Sequence, residues 1–195
     1  MKSEIIFNCP KCGSSHIISV DDEVDLTTDK SLLTKILDDS YFSHECSECK
    51  QHSIVEFPLI VKDDKFNYLY KLNPTNELMF LLKDNETREI RVVSSINELK
   101  EKIRIKYFRL NDHVVECIKK LIKEDLEKNN DVRIEEIYFV KYEENRLQFV
   151  LFDKDNYLGM MYYSEEGYIN LYKKIRESID KDLQVVNLKT INYLI

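Results

Sequence analysis

Glycine and proline are scarce. The 195-residue chain has three of each. That excludes a glycine-rich phosphate loop, a collagen-like repeat and a Pro/Gly linker. Tryptophan is absent. Long hydrophobic runs are missing too. The longest are five residues, such as 78–82, against the about 20 that a membrane-spanning helix needs. The start, Met1-Lys2-Ser3-Glu4, runs into Ile5-Ile6-Phe7 without a basic region and a long apolar stretch, so no secretory signal is expected. Positive charge is in deficit. Lys and Arg number 29 against 36 Asp and Glu, a formal charge of −7. Cationic side chains that release counterions drive duplex binding, so a general nucleic-acid binder is not expected. No Ser-His-Asp, H-E-x-x-H or Walker-type pattern occurs.

What remains is an ordinary globular composition, 43% hydrophobic and 33% charged, with five cysteines. A cytoplasmic setting keeps thiols reduced, so these are read as metal ligands, catalytic thiols or core fillers. Turn-forming Asn73-Pro74-Thr75-Asn76 sets a boundary, with domains at 1–74 and 75–195. The first reads as strands around one helix. Strands are expected over 14–20, 53–61 (with Pro58 at an edge or bulge) and 65–72, where Phe66, Tyr68 and Tyr70 share a face. A helix over 29–38 carries Leu32, Leu33, Ile36 and Leu37 and is capped by Thr28 or Asp29. The second domain opens with strands at 77–82 and 89–93. Ser95-Ile96-Asn97-Glu98 is a capping box whose helix has Ile96, Leu99 and Ile103 on its stripe. A longer helix over 112–128 turns Val114, Val115, Ile118, Leu121 and Ile122 inward. A meander follows at 134–142, 146–152 and 157–163. The next helix, over 166–179, has Ile169, Tyr172, Ile175 and Ile179 at helical spacing, and a last strand covers 184–195. The fold class is α+β: a strand-rich first domain that holds four of the five cysteines, then an α+β domain with helices on an antiparallel meander.

Two C-x-x-C pairs carry the chemistry: Cys9-Pro10-Lys11-Cys12 and Cys46-Ser47-Glu48-Cys49, with a 33-residue spacer. Zinc takes four tetrahedral thiolates readily. A C-x-x-C turn aims two sulfurs at one ion, and Gly13 tolerates the positive φ that folds the turn back. The expected ligands are Cys9, Cys12, Cys46 and Cys49 around Zn²⁺. A closed site of four thiolates has no open position, so its role is structural. A redox pair is the rival, but it would sit at a helix N-terminus, and neither pair opens an apolar-periodic helix.

The N-terminal part resembles the CpXC domain family of bacterial and archaeal proteins. The likeness rests on Phe7-Asn8-Cys9-Pro10-Lys11-Cys12-Gly13, the acidic strand and helix over 21–38, Tyr41 through Cys49, and Phe57-Pro58-Leu59-Ile60. A further match runs from Arg91 to Leu121, including Glu101-Lys102-Ile103-Arg104-Ile105 and Asn111-Asp112. At the second pair Ser47 stands for Pro and Lys50 for Gly. The resemblance implies a zinc-ribbon-like metal domain and brings no substrate or reaction.

Other residues have bland readings that outweigh sharper ones. His16, His44 and His52 lie near the pairs and could replace a thiolate, but four cysteines suffice, so solvated strand positions are expected. His113 opens the long helix with no obvious partner in the sequence around it. Cys117 reads as a buried hydrophobe. Lys100, Lys102, Arg104, Lys106 and Arg109, with Tyr107 and Phe108, could hold a phosphate. The interleaved Glu98 and Glu101, and the Glu98–Lys102 spacing, favour a solvated helix face. Tyr157, Tyr162, Tyr163, Tyr168 and Tyr172 read as core or interface aromatics. Asp21-Asp22, Asp38-Asp39 and Asp63-Asp64 read as solvated turns. The expected function is a non-catalytic, zinc-binding module with a protein partner. The alternatives are a nucleic-acid accessory factor, or an enzyme with a second-domain site around His113 and nearby carboxylates.

Overall fold

The protein is described here from a computed structural model, over residues 2–74, 87–130, 133–180 and 182–191. It divides into two compact units, Met1–Lys100 and Glu101–Ile195. Among the described residues there are four α-helices and several sheets, mostly antiparallel. The class is α+β, as the alternating periodicities indicate. Among the described residues no helix is long and apolar enough to cross a membrane.

The first unit begins with β1 (Lys2–Asn8) and β2 (Ser15–Asp21), an antiparallel hairpin pairing Phe7 with His16. β3 (Glu23–Asp25) and α1 (Lys30–Leu37) follow. Asp29 caps α1 by accepting the Ser31 N–H at 2.9 Å, and Ile36 is its buried residue. A 3-10 turn at Ser40–Phe42 leads into β4 (Ser43–Glu45), which pairs antiparallel with β5 (His52–Ile54). The strand expected over 53–61 is therefore two strands. Pro58, which donates no hydrogen bond, lies in the break before β6 (Leu59–Asp63).

β7 (Tyr68–Leu72) and β8 (Glu89–Val93) complete a mixed sheet in the order β3-β6-β7-β8, with β7 and β8 parallel. All five residues of β7 are buried, which suits a central strand covered on both faces. Phe66 belongs to the turn before it, not to the strand. The strand expected at 77–82 lies outside the described residues. Through β8 the first unit takes in sequence well beyond residue 74.

The unit boundary falls inside α2 (Ile96–Tyr107). Ser95 Oγ accepts the Glu98 N–H at 3.2 Å. Glu98 reaches back one residue further than a capping box requires, to the Ser94 N–H at 2.7 Å. Ile96, Leu99 and Ile103 are buried on α2.

The second unit holds α3 (Asp112–Asn130) and a three-stranded sheet, β9 (Glu136–Glu143), β10 (Arg146–Asp153) and β11 (Asn156–Ser164), in the order β11-β10-β9. Positive φ at Glu144 (51°) and Asn145 (59°) closes the first hairpin, as a tight two-residue turn demands. α4 (Glu165–Ile175) is capped by Ser164. The core joins Val114, Val115 and Ile118 of α3 to Ile137, Phe139, Leu147 and Phe149 of the sheet, and to Leu171 and Ile175 of α4. The α4 stripe differs from expectation. Ile169 and Tyr172 are exposed, and Leu171 is buried instead. Residues 184–191 form turns, not the strand expected there.

Candidate metal centre

Each cysteine pair sits on the loop of its own hairpin, Cys9 and Cys12 between β1 and β2, Cys46 and Cys49 between β4 and β5. The two loops repeat one hydrogen-bond scheme. The Gly13 N–H donates to the Cys9 carbonyl at 2.9 Å, and the Cys9 N–H to the Ser14 carbonyl at 2.9 Å. In the second loop Lys50 donates to Cys46 at 3.0 Å, and Cys46 to Gln51 at 2.9 Å. Gly13 has φ 73° and Lys50 φ 58°. Both loops need a left-handed residue after the second cysteine. Glycine adopts it freely, while lysine does so against the clash of its Cβ.

The hairpins bring the four Sγ atoms within 4.8 Å of one another. Cys9 and Cys49 approach to 3.6 Å, and Cys12 and Cys46 to 3.7 Å. Four sulfurs about 2.3 Å from a tetrahedral ion would be separated by about 3.8 Å, so the donor set fits one ion and could hold a metal. Phe7, Ile18 and Val55 pack around Cys9 and Cys46. The cysteines are free thiols. Neither pair opens a helix, the setting that a redox C-x-x-C uses.

Polar neighbours treat the sulfurs unequally. The Ser14 hydroxyl, then the backbone N–H groups of Cys49 and Glu48 and the His16 ring, hold Cys46 down to about 5 against burial. The Ser14 side chain and backbone likewise lower Cys12. At Cys49 the Gln51 N–H pulls down, but burial and the other three thiols outweigh it and push the group up to about 12. Four thiols crowded this closely cannot all ionise without a cation among them.

Two of the three histidines near the pairs depart from the solvated reading. His16 and His44 are half-buried. His16 Nε2 lies 3.3 Å from Cys46 Sγ and 2.8 Å from Ser14 Oγ, and His44 meets the Phe7 ring edge-on at 4.9 Å. His52 is exposed beside Glu45. Residue spacing pointed to the neighbourhood of His16. Its approach to Cys46 depends on how the β1–β2 hairpin packs against the β4–β5 loop.

The basic stretch over 100–109 is not a solvated face throughout. Lys100 bonds Asp39 at 2.8 Å, and Lys102, 4% exposed, bonds Glu116 at 2.8 Å rather than Glu98. Lys119 joins Glu116 at 3.0 Å and Glu101 at 2.9 Å, and Glu101 also accepts the Phe139 N–H at 2.6 Å. This buried cluster of alternating charge ties α2, α3 and β9 together. His113 is buried next to Asp112 on α3. Cys117 is fully buried, and burial pushes its thiol up to about 11, opposite to what a nucleophile needs.

No curated protein and no solved structure matches the chain. A protein-family model, CpXC protein, matches residues 7–119, more than half of the sequence, and spans both cysteine pairs. The chain belongs to the CpXC family.

Proposed function

We propose that Cys9, Cys12, Cys46 and Cys49 hold one structural Zn²⁺, and that the chain is a non-catalytic cytoplasmic module that binds a protein partner. Zinc is favoured by an all-sulfur, four-donor set on two rigid loops. Bound there, the ion would brace the two hairpins against each other. A closed thiolate shell leaves it no position for water, so its contribution is to stability.

One observation carries the partner reading. Ile6 and Ile17 face each other across β1 and β2, and are 73% and 71% exposed. Paired aliphatic side chains this exposed, on a hairpin anchored by the metal loops, form a surface that gains by being covered. Ion pairing of Lys100 and Lys102 leaves the nucleic-acid alternative fewer free cations.

Elemental analysis is the first test, with one zinc per chain expected and much less than one refuting the site. Pull-downs then compare wild type, Cys46→Ser/Cys49→Ser and Ile6→Asp/Ile17→Asp. A partner lost from both variants, while the Ile variant keeps its zinc, supports the reading. A partner set unchanged in the Ile variant refutes it.

A further inference from the structure

The four sulfurs are unequally enclosed. Cys9 and Cys46 are buried and Cys49 half-buried, whereas Cys12 is exposed. Beside this open corner stands a fifth donor. His16 Nε2 is 3.3 Å from Cys46 Sγ, shorter than the close sulfur–sulfur approaches. Ser14 Oγ bridges the same nitrogen, at 2.8 Å, to Cys12 Sγ, at 3.0 Å. A nitrogen and a sulfur sharing one tetrahedral zinc lie about 3.5 Å apart. The ring orientation is fixed as well. Nδ1 is 3.3 Å from Ser47 Oγ on the opposite loop, and the ring stacks on Phe7 with centroids 6.3 Å apart. Nε2 is therefore the nitrogen turned toward Cys46 Sγ and, through Ser14, toward Cys12.

We propose that His16 is a reserve ligand: when Cys12 is removed or chemically capped, Nε2 takes its place, and the ion stays bound by three thiolates and one imidazole. The inference rests on the metal reading above. Zinc accepts three cysteines and one histidine as a structural set, and exchanging a thiolate for neutral imidazole lowers the negative charge of the centre by one. Cys12, the exposed sulfur, can then react while the fold keeps its brace. Its capping by iodoacetamide forms a carbon–sulfur bond as the carbon–iodine bond breaks and iodide leaves.

The test titrates Co²⁺ into wild type, Cys12→Ala, Cys9→Ala and Cys12→Ala/His16→Gln. Glutamine keeps hydrogen-bond donors for Cys46 and Ser14 without an imidazole. Wild type and Cys12→Ala are each expected to bind one equivalent, the variant with its sulfur-to-cobalt absorption reduced by about a quarter, as three thiolates replace four. The double variant and Cys9→Ala are expected to lose most binding at the same cobalt concentration. Cys12→Ala binding no better than Cys9→Ala, or the double variant binding as well as Cys12→Ala, overturns the proposal. A wild type that binds no metal instead overturns the metal reading beneath it. Should the Cys12 variants not fold, zinc-loaded wild type and His16→Gln are treated with one equivalent of iodoacetamide. Chains capped at Cys12 keep zinc in wild type and release it in His16→Gln. Release from both, or from neither, overturns the proposal.

Discussion

Lys50 holds the position that Gly13 holds in the first cysteine loop, and its φ of 58° is left-handed. A residue with a Cβ adopts that conformation at a cost of about 1–2 kcal/mol. Glycine avoids this cost, but loses about 0.5–1 kcal/mol more backbone freedom on folding. Lys50 contributes little else: its side chain is 71% exposed, with a 3.7 Å contact to Glu45, and such pairs are worth close to nothing. Lys50→Gly should therefore stabilise the first unit by about 0.5–1 kcal/mol. For a unit of this size that corresponds to a rise of about 2–8 °C in the thermal midpoint. The reciprocal change, Gly13→Ala, meets no atom within 4 Å, so its cost is conformational alone, about 1 kcal/mol. Thermal unfolding of metal-loaded wild type and both variants, followed by circular dichroism, measures the pair. A midpoint for Lys50→Gly equal to or below wild type would refute the reasoning, because it would mean that the left-handed turn carries no strain.

Complete chelation should unfold the first unit, since structural zinc supplies about 10–16 kcal/mol in small peptides against a domain stability of about 5–15; an unchanged circular dichroism spectrum counts against this. Lys119→Met leaves Glu101 and Glu116 buried without their shared cation, and should cost about 3–5 kcal/mol in denaturant unfolding. The pH dependence has a definite sign. Burial alone would lower the Lys119 ammonium, but Glu101 and Glu116 outweigh it and hold it above its ordinary value. The stabilisation from Lys119 is thus full below the unfolded lysine pKa of about 10.4 and lost as pH rises through the folded value. The gap between wild type and Lys119→Met should narrow in that alkaline range, and a gap that widens contradicts the assignment. Gly167→Ala should destabilise despite alanine's better helix propensity, because its Cβ would lie 2.7 Å from Tyr163 Cε1; a raised thermal midpoint would show that the ring moves aside freely.

Local chemistry was legible in the sequence. The C-x-x-C spacing and Gly13 marked the first loop, Asp29 and Ser95 marked helix starts, and Glu143-Glu144-Asn145 marked the first meander turn. Each depends on residues within about four positions of one another, where sterics and short-range hydrogen bonds decide the conformation. The family resemblance extended the reading across both cysteine pairs. Tertiary structure decided the rest. The parallel pairing of β7 with β8 joins strands distant in sequence. Lys102 left Glu98, four residues away, for Glu116 on another helix: a buried ammonium needs a paired carboxylate, and Glu98 caps Ser94 instead. Lys50 adopts a glycine-like φ because the second hairpin closes around it. His16 meets Cys46 across 30 positions, through the packing of two hairpins that no local pattern specifies. Contacts of this kind are selected by the folded whole, where burial and register outweigh the preferences of neighbouring residues.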